Sequence, residues 1–310
     1  MLSRKLNVNF PVKIRVFEFW PFRGTDKFYH CKIKSYLYNR GMIITKKEFE
    51  SIRNKPQGQH FQQLVDFGRR LVGVERQERR AIIEESLVLD LEQKVKEGFC
   101  YILDERGLTK LAFFSPETNR FYKLVPTEDW PTVAIGSVPM HRRSSPKKDT
   151  ENKIGFARPR GYVLDTCMCL GYTALAACGL AHKVITFEKD DIVYDIARIN
   201  PFSEDLFKAG NIEIRRKDVF EGIKEFPEKY FDSVVHDPPT LKLAGELFSN
   251  EFYSEIKRVL RPQGIFFHYI PLYKIKQGFR LSESIKKRLA RQGFRNITYS
   301  EAACGLLCEK

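Results

Sequence analysis

Several features are scarce in this chain, and each scarcity excludes something. No window approaches the roughly 18 consecutive apolar residues of a membrane-spanning helix, and the charged start Met1-Leu2-Ser3-Arg4-Lys5 has no apolar stretch behind it. A cytoplasmic, unprocessed protein with no membrane contact is therefore expected. Seven scattered cysteines in 310 residues are too few for a disulfide framework, so reduced thiols are the expectation. Cys167, Cys169 and Cys178 are joined by neither a C-x-x-C pair nor a histidine cluster, and Cys304 and Cys308, at helical spacing, lack the further cysteine of an iron–sulfur motif. No metal is expected. The G-x-G-x-x-G dinucleotide fingerprint is missing, as is a Lys-Ser/Thr pair of the phosphate-cradling kind.

What is present is globular: 43% hydrophobic, 13% aromatic and 30% charged residues, which rules out a disordered, collagen-like or coiled-coil chain. The length favours two domains. Lys plus Arg number 53 against 39 Asp plus Glu, a net charge of +14. Such an excess suits an anionic partner, nucleic acid being the commonest, although a membrane surface or simple solubility would also account for it.

Two grammars divide the sequence. Residues 1–58 are basic and aromatic, with strand-like alternation over 12–20, 28–37 and 42–45. Over 61–97 the spacing of Leu64, Phe67, Leu71, Ile82, Ile83, Leu87, Leu91 and Val95 among charged residues predicts long helices. Strands are expected again at 99–103, 108–114, 120–125 and 133–138. The basic, polar run 140–153 reads as a linker or surface arm, either a solvated connector or a phosphate-contacting segment through Arg142 and Arg143. Beyond Gly161, short apolar strands at 162–165, 183–188, 212–215, 231–236 and 264–269 alternate with helical patterns, the signature of a doubly wound parallel sheet. The expected division is an N-terminal α+β domain over 1–139 and an α/β domain over 140–310. A last amphipathic basic helix, 282–293, carries Lys286, Lys287, Arg288 and Arg291 with a solvated face.

In such a sheet ligands sit at the carboxyl ends of the strands, and acids stand at several of those ends. The first strand closes in Asp165 and turns through Thr166-Cys167-Met168-Cys169-Leu170-Gly171-Tyr172-Thr173 into a helix near Ala174. One glycine in place of three suits a nucleoside without a polyphosphate. Glu188, ending the second strand, is placed to accept both ribose hydroxyls, and Asp218, after the third, to reach an adenine amino group. Each acid taken singly is equally well a helix cap or a solvated loop residue. The fourth strand closes in His236-Asp237-Pro238-Pro239-Thr240. Two prolines remove two N–H donors, so the Asp237 carboxylate and the Pro238 carbonyl are expected to be acceptors with nothing nearby to satisfy them. Such a corner either ends a buried strand as a rigid turn or accepts both protons of a planar amino group and aims its lone pair at an electrophile. His268, ending the fifth strand, is either a satisfied buried histidine or a wall of the substrate pocket.

These motifs resemble the S-adenosylmethionine-dependent methyltransferases of the Rossmann-like class. Val163-Leu164-Asp165-Thr166-Cys167, Leu170-Gly171-Tyr172-Thr173-Ala174, Asn200-Pro201, His236-Asp237-Pro238-Pro239 and Leu243-Ala244-Gly245-Glu246-Leu247-Phe248-Ser249 are more closely similar to an archaeal family of predicted methyltransferases thought to act on RNA. The resemblance covers roughly residues 130–270. It implies a mostly parallel seven-stranded sheet, S-adenosylmethionine as cofactor, and an RNA substrate, with rRNA favoured. It further implies Asp165, Cys167 and Gly171 at the methionine end, Glu188 at the ribose, Asp218 at the adenine, and Asp237, Pro238 and Pro239 facing the target amine. Cys169 stands where the class usually has Gly, and Thr240 replaces a larger residue able to stack on a base, leaving His236, Phe248 and Tyr253 as candidate stackers. The target expected on this resemblance is an exocyclic amino nitrogen, cytidine N4 ahead of adenosine N6 and guanosine N2. The competing readings are a small-molecule amine methyltransferase, an aminopropyltransferase of the polyamine type, and a non-catalytic RNA-binding protein. The oligomeric state is left open.

Overall fold

A computed structural model of the protein describes residues 41–270 and 275–310, with side chains in the last stretch from 281 onward. The strands expected at 12–20 and 28–37 lie outside the described residues.

Within the N-terminal half, β1 (Met42–Thr45) leads directly into α1 (Lys46–Arg53), whose Thr45 and Glu48 form a reciprocal capping box. Four strands follow: β2 (His60–Val65), β3 (Arg70–Arg76), β4 (Arg80–Ile83) and β5 (Leu87–Asp90), an antiparallel meander. The long helices expected over 61–97 are therefore absent. Leu64 and Leu71, read as one helical face, are cross-strand partners on the outer face of the first hairpin, 49% and 55% exposed. Inward-facing Val72, Val74, Ala81, Ile83 and Leu89 alternate with them at period two and form the core. Strands β6 (Cys100–Asp104) and β7 (Gly107–Lys110) join β1 in a three-stranded sheet, and β8 (Ala112–Ser115), β9 (Arg120–Val125), β10 (Thr132–Ile135) and β11 (Val138–Pro139) make a further antiparallel sheet.

The segment 140–153 is not a free linker. Its second half is helix α2 (Pro146–Ala157), with Ser145 capping through its hydroxyl and Pro146 in the first turn, where its missing N–H costs nothing. The helix buries Pro146, Thr150, Lys153, Ile154 and Ala157, a helical stripe disguised in sequence because two of its members are polar.

The remainder is doubly wound: β12 (Gly161–Asp165), α3 (Tyr172–Cys178), β13 (Ala181–Phe187), α4 (Asp191–Ile199), β14 (Ile212–Arg215), α5 (Val219–Gly222), β15 (Phe231–His236), α6 (Asn250–Val259), β16 (Leu260–Tyr269), α7 (Ile275–Arg291), β17 (Arg295–Ser300) and β18 (Gly305–Glu309). The seven-stranded sheet runs β14-β13-β12-β15-β16-β18-β17, parallel through β16, with β18 antiparallel between β16 and β17. This is the mostly parallel architecture expected. Cys308 lies on β18 and Cys304 in the turn before it, so their spacing of four is not helical. Helix α7 starts before the expected residue 282 and packs Ser282, Ile285 and Leu289 inward. Lys286, Lys287 and Arg291 face solvent, while Arg288 turns in and donates to the Phe248 carbonyl at 2.5 Å.

Side chains of α5, α6 and α7 cover one face of the sheet. On the other face a single apolar cluster runs from Ala174, Ala177, Val193 and Ile196 into Phe113, Tyr122, Leu124 and Val133 of the β8–β11 sheet. The two halves thus share a core. Tyr122 also donates to Asp190 at 2.7 Å, and Trp130 packs on Tyr172 with ring centres 4.9 Å apart.

Candidate active site

Strand order reverses between β12 and β15, and the carboxyl ends of a doubly wound sheet part there to leave a crevice. A cavity of about 490 Å³ occupies it. Its walls come from the ends of β12, β13 and β15, the loop after β14, and, from the N-terminal half, Arg120, Ile135, Val138 and Pro139 followed by 140–143.

The turn after β12 is braced from several sides. Thr166 N–H donates to the Val235 carbonyl and Met168 N–H to that of Phe187, tying the turn to both neighbouring strands. Cys169 adopts φ +50°, the left-handed region that favours glycine, and its N–H donates to Glu188 Oε2 at 3.0 Å. Gly171, at φ +78°, opens α3, and a Cβ there would come within 2.3 Å of Leu206 Cδ2. Only glycine meets both demands. Asn200 supplies the rest: its Nδ2 donates to Tyr172 Oη at 2.9 Å and to Ser203 Oγ at 2.7 Å, and Ser203 in turn donates to the Leu170 carbonyl. The Asn200-Pro201 motif is therefore a brace behind the turn.

Asp165 does not reach the cavity wall. It is fully buried and accepts from Thr173 Oγ1 at 2.8 Å and Thr186 Oγ1 at 2.5 Å, and burial pushes it up to about 7. Its place is beneath the turn, which it fixes from below, as Gly171 does by letting the chain approach Leu206. Cys167 does line the cavity, beside Cys169. Burial pushes both thiols up, so neither is a ready nucleophile.

Glu188 stands on the wall with each carboxylate oxygen held by a backbone N–H, Oε2 by Cys169 and Oε1 by Asp190 at 2.9 Å. Burial outweighs these contacts and pushes its carboxyl up to about 7. Asp218 caps α5 by accepting from Phe220 N–H and pairs with Lys189 Nζ at 2.9 Å; Glu246 approaches the same ammonium at 3.4 Å. Asp218 thus lines the cavity with both oxygens already engaged, Oδ1 by the Phe220 N–H and Oδ2 by Lys189.

At the far end stand Asp237, Pro238, Pro239 and Thr240. The expectation of an unsatisfied Asp237 is corrected here: its Oδ2 accepts from Lys153 Nζ at 2.6 Å. Lys153, 3% exposed, reaches Asp149 Oδ2 at 2.6 Å as well, and lies over the Tyr269 ring at 4.2 Å. Burial opposes its charge, but Asp237 and Asp149 outweigh it and hold the ammonium above the usual lysine range. Burial likewise pushes Asp237 up, and Lys153 pulls it back. Among the described residues no hydrogen bond reaches the Pro238 carbonyl. His141 Nδ1 meets Thr132 Oγ1 at 2.9 Å, and burial lowers the ring to about 4, so it is neutral.

The three candidate stackers are core residues. His236 is fully buried, its Nε2 donating to the Leu247 carbonyl at 3.0 Å and its Nδ1 accepting from Thr166 Oγ1 at 2.8 Å. Phe248 is buried beside it, and Tyr253, also buried, donates to His268 Nε2 at 2.8 Å. His268 donates through Nδ1 to the Tyr269 carbonyl, and burial lowers it to about 3, so it is a satisfied buried histidine. A strand buried on both faces sends even the side chains at its carboxyl end, here His236 and His268, into the core, which spacing alone does not reveal. The aromatic that does flank Asp237 is Tyr269. It, Lys153 and Asp149 were missed in the sequence, where Lys153 and Asp149 sat in an apparent linker and Tyr269 beside His268.

Arg120, Arg142, Arg143 and Lys217 line the cavity with their side chains exposed, and Arg143 donates to Cys304 Sγ at 3.1 Å. The volume lies in the range that encloses nucleoside-sized ligands, and an acid held by backbone donors stands on its wall, so the residues fit an S-adenosyl nucleoside.

No family model matches the chain. A spermidine synthase in complex with a transition-state analogue has a similar fold, with a TM-score of 0.54 and 20% identity over 64% of this chain and 72% of that one. The spermidine synthase of Thermotoga maritima gives 0.51 and 18% over 64% and 71%. An uncharacterized protein of Methanocaldococcus jannaschii is 44% identical over 220 residues, 69% of this chain and 74% of the relative. The chain belongs to the same family as this Methanocaldococcus protein.

Proposed function

We propose that the protein is an S-adenosylmethionine-dependent RNA methyltransferase that modifies an exocyclic amino nitrogen, cytidine N4 ahead of adenosine N6 and guanosine N2, with rRNA as the favoured substrate. The observation that carries this reading is one cavity with Glu188 on one wall, Asp237-Pro238-Pro239 at one end and a rim of arginines. When bound, the cofactor supplies an electrophilic methyl on a positively charged sulfur. Glu188 accepts the ribose hydroxyls, and Cys167 and Cys169 flank the turn against which the methionine end rests. Asp237 Oδ1 and the Pro238 carbonyl accept the two N–H groups of the target amine, which turns its lone pair out of conjugation and toward the methyl. The prolines keep that corner rigid, and the apolar walls exclude water. The proton released on alkylation leaves by way of Asp237. Arg120, Arg142 and Lys217 hold phosphates at the rim.

Aminopropyl transfer to a polyamine is the competing reading, favoured by the fold shared with spermidine synthases. The basic rim and the +14 net charge count against a polycationic substrate. Mass spectrometry of nucleosides from total RNA, with and without the gene, tests the proposal. A methylated amino nucleoside that vanishes with the gene supports it. Identical nucleoside profiles, together with aminopropyl transfer by the purified protein, would replace it with the competing reading.

A further inference from the structure

We propose that Lys153 is the positioning residue for Asp237: by drawing Oδ2 into an ion pair it dedicates Oδ1 to the target amine and fixes the direction in which that oxygen points. The inference rests on the reading of Asp237 given above.

Three elements converge on the ammonium. Helix α2 brings Asp149 and Lys153 one turn apart, the end of β15 brings Asp237, and the end of β16 brings Tyr269. Two of the three ammonium donors go to the two carboxylates, and the Tyr269 ring lies against the ammonium as well. An ammonium so buried persists only because it is paired on these sides. Two carboxylates against one ammonium leave one net negative charge at this end of the cavity. A target nitrogen gains positive charge as it is alkylated, so that surplus stabilises the transition state more than the ground state. Lys153 is itself no proton acceptor, because Asp149 and Asp237 keep it protonated. The charged and titratable groups that face Lys153 and Asp237 are Asp149, Asp165, Tyr269, the neutral His141, and the thiols of Cys167 and Cys169, which burial keeps protonated.

The arrangement gives opposite responses to two substitutions. In K153M the Asp237 carboxyl keeps its burial and loses its counter-charge, so its ionisation moves to higher pH. In D149N a repelling carboxylate is gone, and the ionisation moves to lower pH.

The experiment measures methyl transfer from S-adenosylmethionine to RNA purified from cells lacking the gene, across pH 5.5 to 9, for wild type, K153M, K153R, D149N and D237A. Cofactor binding and thermal unfolding are followed alongside. Expected are an acid limb displaced upward in K153M, with about a tenfold loss of kcat below it for each pH unit of displacement, a downward displacement in D149N, and rescue by K153R. Cofactor affinity should be unchanged. A folded K153M with the wild-type limb, or an equal loss at every pH, would overturn the inference. If K153M fails to fold, an unmoved limb in D149N overturns it. D237A separates the two claims: full transfer in D237A removes the reading of Asp237 itself, whereas loss in D237A beside a wild-type K153M removes only the role of Lys153.

Discussion

Replacing Glu188 with Gln probes the proposed ribose contact through its pH dependence. Burial pushes the Glu188 carboxyl up to about 7, although backbone N–H groups of Cys169 and Asp190 donate to it. A carboxylate that accepts two ribose hydroxyls must be ionised. The fraction ionised of a group titrating near 7 rises from about one tenth at pH 6 to about nine tenths at pH 8, so affinity for S-adenosylmethionine should tighten about tenfold, or about 1.4 kcal/mol. The sign for stability is the reverse. The folded pKa values of Glu188 and Asp165 lie above their ordinary 4.5 and 3.8, so the free protein loses stability as pH rises from about 4 to about 7 and stays level above that. In E188Q the amide turns its NH2 toward one of the two backbone donors and cannot ionise. Affinity at pH 8 should fall by about 1.5 to 3 kcal/mol, and the slope with pH should disappear. Calorimetric titration with S-adenosylmethionine from pH 6 to 8 at constant ionic strength reads both. Asp165 titrates in the same window but does not touch the cavity, and E188Q leaves it in place. A wild-type affinity flat over this range, or an E188Q that keeps the slope, would refute the ribose assignment.

Three further outcomes are expected. Gly171→Ala combines a left-handed backbone with a Cβ 2.3 Å from Leu206 Cδ2, so urea unfolding should show a loss of about 2 to 4 kcal/mol; a loss below about 0.5 kcal/mol would contradict the packing described. The double substitution Arg120→Ala and Arg142→Ala should weaken RNA binding and reduce the slope of log affinity against log salt by about 1.5 to 2, leaving cofactor affinity unchanged. Tyr172→Phe removes the hydroxyl that donates to the Pro131 carbonyl and accepts from Asn200, and should cost about 1 to 3 kcal/mol in thermal or chemical unfolding.

The parallel sheet was legible because its strands are short, apolar runs buried on both faces, and Val234, Val235 and their neighbours read as such without any turn signal. Residues 61–97 were not, for a local reason. The turn between β4 and β5 places Glu84 at φ +50° and Glu85 at φ +60°, and the one between β2 and β3 places Asp66 and Phe67 at +54° and +57°. Hairpins announce themselves by Asn or Gly at such positions; with charged or aromatic residues there, the spacing of three and four from Leu64 to Phe67 to Leu71 and from Leu87 to Leu91 to Val95 mimics a helix. Helix α2 was hidden differently. Its buried stripe includes Thr150 and Lys153, and the ammonium of Lys153 is paired inside the fold both by Asp149 and by Asp237, 84 positions away. The acids at the strand ends were legible as a set, but which of them face the cavity was not. Asp165 is turned under the loop by Thr173 and Thr186, contacts that only the folded chain brings together.

The most direct measurement is methyl transfer and cofactor binding in Asp237→Ala, read separately. On the proposed reading the Asp237 carboxylate meets the target amine and not the ribose, so transfer should fall by about 100-fold or more while the dissociation constant for S-adenosylmethionine changes by less than about threefold. Undiminished transfer would contradict the account at its centre, and so would a loss of transfer that comes wholly from lost cofactor binding.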